Sequence, residues 1–340
     1  MVGGRVRIGL IGLGDIGLSQ HLPALLRSEA VEVVAVADRD PSRRVLAAAS
    51  LAPRPVAVLD DADALLDLAL DAVVIATPPW VTPALTIAAL ERGRFVLAEK
   101  PVAVGLDEAL VLEQLPAAML ARVQLGLTYR HDLAIARLRD AVAGGELGDG
   151  PLLVHASIYD EANRPDDADH TARITEALAH GDPSLHEGAH VFDWLAAILG
   201  SGPDDVVDAW SITTLPGSPT PNLVGARLHY PGGTIANVEF GWLIDVLPPG
   251  FIRITGSRGS AQLGLEDFDL EITTAAGTER LRQDEPKMTR CFDRQLAAFL
   301  DLVEGRTPTP AVGIADGVST LRIARRIAEL ASARQEGGRA

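Results

Sequence analysis

A glycine-rich turn near the amino terminus places the tightest constraint on how this chain can fold. Gly12-Leu13-Gly14-Asp15-Ile16-Gly17 has the spacing GxGxxG, and it lies between a strand pattern at residues 5–11 and a helical pattern at residues 19–28. This context is typical of dinucleotide binding, because the amino terminus of the helix offers backbone amides to a pyrophosphate. The first glycine permits the tight turn, the second leaves room for the phosphates, and the third lets helix and strand pack closely.

An acidic residue lies where a dinucleotide fold needs one. Asp38 follows the apolar run 31–37, about 20 residues beyond the turn, where a carboxylate binds the ribose hydroxyls of NAD. Arg39 is adjacent, and an arginine there can bind the 2′-phosphate of NADP. The expected cofactor is therefore NAD, with NADP left open. The predicted cofactor-binding residues are Gly12, Gly14, Asp15, Ile16, Gly17, Asp38, Arg39, Thr77, Pro78, Glu99 and Lys100.

The order of strand and helix patterns divides the chain into two parts. Residues 1–126 alternate six short apolar strands with helices, which predicts a Rossmann domain with a doubly wound parallel sheet. Residues 127–340 contain several alternating strands broken by glycine turns, which predicts an α/β substrate-binding domain with a large open, mostly antiparallel sheet. The fold class is α/β, and the final helices could pack back on the first domain. The open sheet face predicts a homo-oligomer.

Charge and composition exclude several classes of partner. The chain has 46 acidic and 30 basic residues and a net charge of −16, so we expect neither nucleic acid nor membrane as a partner. It has one cysteine, Cys291, which cannot form an internal disulfide. Glycines interrupt the apolar amino terminus, which is unlike a signal peptide. These features predict a cytoplasmic protein that acts on a small molecule.

A lysine follows the fifth predicted strand, within Glu99-Lys100-Pro101. Ligands of a doubly wound sheet bind at the carboxyl ends of its strands, so Lys100 is expected beside the cofactor. An ammonium there can polarise a carbonyl or stabilise a developing alkoxide. The following proline restricts the backbone of the lysine and helps to fix its direction.

Together these motifs resemble the Gfo/Idh/MocA family, which includes glucose–fructose oxidoreductase and inositol dehydrogenase. The resemblance covers nearly the whole chain, and the shared segments occur in the family's order. Besides the glycine turn and Asp38 they are Ala76-Thr77-Pro78-Pro79, Glu99-Lys100-Pro101, GLTYR at 126–130, GGELG at 144–148 and GSRGS at 256–260. The resemblance implies NAD(P)-dependent hydride transfer to or from a carbon of a sugar or polyol.

The resemblance also implies a catalytic histidine, which His190 matches. Asp193 matches a later aspartate of the family motif, and His186 stands where the family usually has an aspartate. Histidines at i and i+4 share a helix face, and an imidazole is suited to take the hydroxyl proton. We expect His190 to be the acid/base, Lys100 to polarise the substrate oxygen, and His186 to orient the substrate or relay the proton. The predicted substrate-binding residues are Lys100, Arg130, Tyr159, His186 and His190.

Other readings of these residues remain open. Some members of the resembled family are glycosidases that use NAD in a transient redox step, and a dinucleotide-binding regulator without catalysis is a third possibility. The segment His186-Glu187-Gly188-Ala189-His190 also fits HExxH, the pattern of zinc hydrolases. Zinc is disfavoured because Gly188 is a poor helix-interior residue, and we expect no metal. Trp242 either packs beneath a sugar ring or fills the sheet core.

Overall fold

The chain divides into two compact units. The computed structural model describes residues 4–215 and 217–337. The first unit takes in the chain up to Thr128 together with Met288–Val318, and the second takes in Tyr129–Lys287 together with the chain from Ser319. The domain boundary after residue 126 stays a prediction, and the structure adds the segment Met288–Val318 to the first unit.

Six parallel strands form the sheet of the first unit, in the order β3-β2-β1-β4-β5-β6. The order reverses between β1 and β4, and ligands of doubly wound sheets bind at such a switch point. This confirms the predicted Rossmann sheet. The strands are β1 Val6–Ile11, β2 Val31–Ala37, β3 Ala57–Leu59, β4 Ala72–Ile75, β5 Phe95–Glu99 and β6 Val123–Gly126.

The helices of the first unit begin where the sequence supplies caps. Asp40 accepts a hydrogen bond from the Ser42 backbone at 2.8 Å, and Pro41 occupies the first position of α2, as at many helix starts. Helix α4 differs, because Thr82 is its first residue and no side chain of the preceding Val81 caps it. The helices are α1 Leu22–Arg27, α2 Pro41–Leu51, α3 Ala62–Leu66, α4 Thr82–Glu91, α5 Leu106–Glu113 and α6 Ala117–Leu120.

The core of the first unit lies on the central strands. Ile8 and Leu10 are fully buried, and Phe292 and Phe299 of helix α11, Lys287–Val303, pack in the same cluster. All four residues of β4 are buried, as expected for a parallel strand covered on both faces. This double burial explains why the strands could be recognised as continuous apolar runs.

The second unit contains an eight-stranded sheet in the order β14-β13-β12-β11-β7-β10-β9-β8. Only the β7–β10 pair is parallel among the described pairings, so the predicted mostly antiparallel sheet is confirmed. The strands are β7 Leu153–Tyr159, β8 Asp205–Ile212, β9 Leu223–His229, β10 Ile235–Gly241, β11 Phe251–Thr255, β12 Gly259–Gly264, β13 Leu270–Thr274 and β14 Gly277–Leu281.

Helices cover one face of this sheet. Phe192 of α10 packs edge-on against Phe240 of β10, with ring centroids 5.6 Å apart. The helices are α7 Leu133–Ala143, α8 Ala168–His180, α9 Pro183–His186 and α10 Gly188–Leu199, and α12 spans Ile314–Gly337. Within residues 4–215 and 217–337, none of the helices combines the length and apolar character that crossing a bilayer requires.

Candidate active site

The glycine turn has the shape that a pyrophosphate cradle requires. Gly12 has φ +94°, and a Cβ on it would collide with the Ala76 carbonyl. A Cβ on Gly17 would collide with the Gly12 carbonyl. A Cβ on Gly14 would instead meet only Arg43 Nη1, at 3.6 Å. The first and third glycines are therefore required by packing, while the second leaves open space, so the turn fits the phosphates of NAD.

The Asp38 carboxylate is fixed against this turn. Its Oδ2 accepts the Leu13 amide hydrogen at 2.7 Å, and its Oδ1 accepts the Asp40 amide hydrogen at 2.8 Å. Arg43 Nη1 lies 3.9 Å from Asp38 Oδ2. We did not predict Arg43 as a site residue, although its place on the first turn of α2, five residues after Asp38, is a usable signal. The Arg39 side chain is exposed.

The other predicted cofactor residues lie at the turn or just beyond β4 and β5. The Asp15 carbonyl accepts a hydrogen bond from Ser19 Oγ at 2.5 Å, and the Ile16 side chain is 39% exposed. The hydroxyls of Thr77 and Thr82 are 2.9 Å apart, which ties the loop containing Pro78 to the start of α4. At the carboxyl end of β5, Glu99 is buried and the next residue, Lys100, is half-buried.

On the second unit, His190 lies among aromatic rings. It is 6% exposed, its ring centroid is 4.7 Å from that of Tyr129, and it stacks on Trp194 at 5.8 Å. Tyr129 and Trp194 also contact each other edge-on, at 5.6 Å. These contacts fix the plane of the imidazole through packing.

His186 has different surroundings. It is the last residue of α9, and α10 starts at Gly188, so the helix is interrupted at Glu187. The Nε2 atom of His186 lies 3.0 Å from the Ala177 carbonyl oxygen. Because a carbonyl only accepts hydrogen bonds, His186 Nε2 carries the proton and donates it to this carbonyl. The ring stacks on Trp242 at 4.9 Å.

These contacts bear on two of the open readings. Trp242 is 4% exposed and packs in a cluster with Ile174, Leu178 and Leu243, so the structure favours its core role. In the described part of the chain, no group of three or more His, Cys, Asp or Glu side chains is arranged to hold a metal ion. The HExxH spacing therefore lacks a third protein ligand among those residues, which a zinc site of that type needs.

Arg130 and Asp193 form a buried ion pair in the second unit. Asp193 is fully buried, and Arg130 donates from Nε to its Oδ2 at 3.0 Å and from Nη2 to its Oδ1. A buried carboxylate requires such a partner, and removal of one partner is strongly destabilising. The pair holds α10, which carries His190, to the turn that follows β6. Substrate binding by Arg130 stays a prediction.

The neighbouring His131 makes the stability of the fold depend on pH. Burial, together with the positive charge of Arg130, lowers the pKa of His131 to about 4, against about 6.5 in an unfolded chain. The unfolded state therefore binds a proton first, and stability present above about pH 6.5 is lost as the pH falls toward 4. His131→Leu should reduce the loss of unfolding free energy between pH 7 and pH 5 by about 2 kcal/mol, as measured by urea denaturation. Equal pH dependence in the two proteins would contradict this.

Tyr159 lies on the outer face of the second sheet, and its predicted role in substrate binding stays a prediction. Tyr159 pairs with Gly241 in the β7–β10 register, so its side chain lies on the same face as Glu239 and opposite to Phe240. Its hydroxyl donates to Glu239 Oε2 at 3.2 Å, and burial with this carboxylate raises its pKa to about 12. Because α10 packs on the face that carries Phe240, Tyr159 is on the other face of the sheet from the helix of His190. Alternation along a strand is readable from sequence, but the face covered by helices is not.

Lys287 is a second basic residue that we did not predict. Its Nζ lies 5.3 Å from the ring centroid of Tyr129 and 5.1 Å from that of Phe268, and it donates to the Leu265 carbonyl at 2.5 Å. Tyr129 is the ring that packs on His190. Composition could have drawn attention to Lys287, because only two of the 30 Lys and Arg residues are lysines, Lys100 and Lys287.

A glycine turn shaped for a pyrophosphate, at the switch point of a Rossmann sheet, defines a dinucleotide-binding protein. The chain belongs to the Gfo/Idh/MocA family. Residues 6–127 match the family model described as an oxidoreductase family with an NAD-binding Rossmann fold, and residues 135–262 match the Gfo/Idh/MocA C-terminal domain. The predicted family, fold class, NAD(P) cofactor and oxidoreductase activity are confirmed.

Similar proteins extend over most of the chain. Inositol 2-dehydrogenase 1 of Saccharopolyspora erythraea is 36% identical over 309 residues, which are 87% of this chain and 85% of that protein. The WlbA dehydrogenase of Bordetella pertussis, solved with NADH and UDP-GlcNAcA, has a TM-score of 0.77 at 18% identity and 98% and 97% coverage of the two chains. An oxidoreductase of Agrobacterium radiobacter, solved with NAD+, L-tartaric acid and magnesium, has a TM-score of 0.78 at 20% identity and 96% coverage of each chain. These two structures share the fold.

Proposed function

We propose that this chain is a polyol or sugar dehydrogenase, with a cyclitol such as myo-inositol as the first substrate to test. The observation that carries the proposal is its 36% identity, over 87% of the chain, to an inositol 2-dehydrogenase. Bound NAD supplies a two-electron acceptor for the carbon that bears the reacting hydroxyl. The protein must then bind that hydroxyl, remove its proton and stabilise the charge that develops on the oxygen.

We assign the stabilisation of charge to Lys100. It follows β5 at the carboxyl edge of the Rossmann sheet, where ligands of this fold bind. Its side chain is half-buried, and a partly desolvated ammonium interacts more strongly with a developing alkoxide than an ammonium in water does. For the same reason we propose that Lys100 also binds the substrate.

We assign the proton transfer to His190. Its buried imidazole is restrained by Tyr129 and Trp194, and a restrained base costs less entropy to align with a hydroxyl. We assign His186 a role in orienting the substrate, because it lies four residues before His190 and its ring is held by the Ala177 carbonyl and by Trp242. An imidazole ring held in one orientation can hydrogen-bond a substrate hydroxyl.

A panel of polyols, sugars and aryl glycosides, each supplied with NAD or NADP, tests the proposed function. NADH absorbance that rises only with a polyol or sugar is the expected result, and myo-inositol is expected to be among the active compounds. Glycoside cleavage without net NADH formation would replace the proposal with the glycosidase alternative. Tight NADH binding without turnover of any compound would favour the regulator and overturn the proposal.

Preference for NAD over NADP is expected to depend on the charge of Asp38. A carboxylate repels a 2′-phosphate, and Arg43 beside it would bind that phosphate once the carboxylate is gone. Asp38→Ser should shift the ratio of NADH to NADPH dissociation constants at least about 10-fold toward NADPH, as measured by fluorescence titration. Arg43→Ala in the Asp38→Ser background should reverse most of this gain. A parental ratio in Asp38→Ser, or a double variant that keeps the full shift toward NADPH, would contradict the assignment.

We also propose that the chain forms a homo-oligomer in the cytoplasm. Support comes from exposed apolar side chains on the second sheet, where Leu153, Val207 and Ile212 are 43%, 41% and 51% exposed. Exposed apolar groups on an open sheet face favour a partner that covers them. A single-chain mass in light scattering at working concentrations would refute the oligomer.

A further inference from the structure

A buried histidine–carboxylate contact lies next to Lys100. His21 Nε2 is 2.7 Å from Glu99 Oε1, and the two side chains are 4% and 10% exposed. Burying a carboxylate is costly unless it is paired and hydrogen-bonded. The contact joins residues 78 positions apart, so local sequence preference does not account for it.

The second oxygen of this carboxylate holds the lysine backbone. The Lys100 amide donates to Glu99 Oε2 at 3.2 Å, while Oε1 contacts His21. Glu99 thus links the imidazole ring to the main chain of Lys100. A restrained amide limits rotation about the φ angle of Lys100, which sets the direction in which its side chain leaves the strand end.

The surroundings of the pair are shaped around the carboxylate. A Cβ on Gly126, at the end of β6, would lie 2.9 Å from Glu99 Oε1 and 3.1 Å from Glu99 Cα. No side chain fits there unless Glu99 moves. Phe292 packs edge-on against the His21 ring, with centroids 5.0 Å apart. These contacts restrict the His21 imidazole and the Glu99 carboxylate to the positions in which they contact each other.

His21 belongs to the element that carries the glycine turn. It ends a π-helical turn, Gly17–His21, that begins at the third glycine, and such turns are frequent at functional sites. The Leu22 amide donates to the Gly17 carbonyl and closes this wider turn. The His21–Glu99 contact therefore connects the phosphate-binding element to the strand end that bears Lys100.

We propose that His21, acting through Glu99, is a positioning residue for Lys100. The inference rests on the role given to Lys100 under the proposed function. A misplacement of a catalytic group by about 1 Å can cost about 100-fold in rate, so a contact that fixes the lysine backbone is expected to affect turnover without touching substrate.

A nuclear magnetic resonance experiment reports on Lys100 without any substrate. Because the chain has two lysines, reductive ¹³C-methylation labels only Lys100, Lys287 and the terminal amine, and Lys100→Ala identifies the signal. His21→Leu should shift the titration midpoint of the Lys100 signal by at least about half a pH unit. His21→Gln keeps an N–H donor at the reach of Nε2 and should restore the midpoint. Leu25→Ala, a buried α1 change in the same unit, controls for lost packing and should leave it in place.

Steady-state kinetics distinguish a positioning role of His21 from a general loss of folded structure. On the most active compound of the panel, His21→Leu should lower kcat at least about 10-fold, with KM and the NADH dissociation constant within threefold of the parent. His21→Gln should recover to within about threefold. Gly126→Ala, which displaces the carboxylate from its other side, should reproduce the loss if His21→Leu fails to fold.

The outcomes distinguish this inference from the proposed function. Full turnover in Lys100→Ala would remove the role of the lysine, whatever His21 does. An inactive Lys100→Ala with an unchanged Lys100 signal and unchanged kcat in His21→Leu would overturn positioning alone. Equal losses in His21→Leu and Leu25→Ala, or no recovery in His21→Gln, would also overturn it.

Discussion

Replacing Lys100 with alanine is expected to lower kcat at least about 10³-fold, equivalent to about 4 kcal/mol of transition-state stabilisation. The ammonium is needed most when charge develops on the substrate oxygen, so its loss should affect kcat more than KM. The NADH dissociation constant should stay within about threefold, since the glycine turn and Asp38 are untouched. Stopped-flow and steady-state assays of NADH formation measure kcat and KM, and a fluorescence titration measures the NADH dissociation constant.

Two variants control the interpretation of the Lys100 result. Arg54→Ala removes an exposed cation from the same unit and should retain the parent rate, so that loss of net charge is not the cause. Lys100→Arg keeps a cation but replaces a compact ammonium with a planar fork, and it should recover little activity. Turnover within 10-fold of the parent in Lys100→Ala would contradict the assignment.

Replacing His190 with glutamine is expected to lower kcat by about 10²–10⁴-fold, the range for removal of a general acid/base. Glutamine keeps a polar side chain between Tyr129 and Trp194, so most of the packing is preserved. The remaining activity should also lose the fall at acidic pH that protonation of an imidazole base produces. That change in the pH profile would not arise from a packing defect, and it is the decisive readout.

The control for His190 is a histidine far from the proposed chemistry. His155 is exposed on β7, on the same outer face as Tyr159, and His155→Gln should retain both the rate and the pH profile of the parent. If His190→Gln turned over at the parental rate, or slowly with an unchanged acid limb, another group would have to be the base.

Much of the fold could be predicted because its decisive signals are local. The glycine turn, the strand-end Asp38 and the apolar runs of the buried parallel strands each occupy a few consecutive residues. Helix α8 is hard to predict because its composition is polar, although His170, Ile174 and Leu178 are buried at intervals of four residues. These three positions indicate a helix only if one face of the segment is already expected to pack against other elements.

The candidate site could be predicted only in part, because several of its contacts join distant segments. Lys100 and His190 each lie in a short sequence motif that can be recognised from neighbouring residues. The His21–Glu99 contact spans 78 residues, and the Arg130–Asp193 pair spans 63, so neither partner identifies the other in the sequence. The face on which Tyr159 lies could not be predicted, because it depends on which side of the sheet the helices cover.

Isotope transfer from a deuterated polyol tests the central claim most directly. The parent protein is incubated with NAD and perdeuterated myo-inositol, and then with the other active compounds of the panel, and the nicotinamide product is analysed by mass spectrometry. Direct oxidation at a carbon predicts one deuterium in each reduced nicotinamide formed by the parent. It also predicts that Lys100→Ala and His190→Gln form this labelled product only at their much lower rates. Unlabelled NADH, or labelled product at the parental rate from both variants, would contradict it.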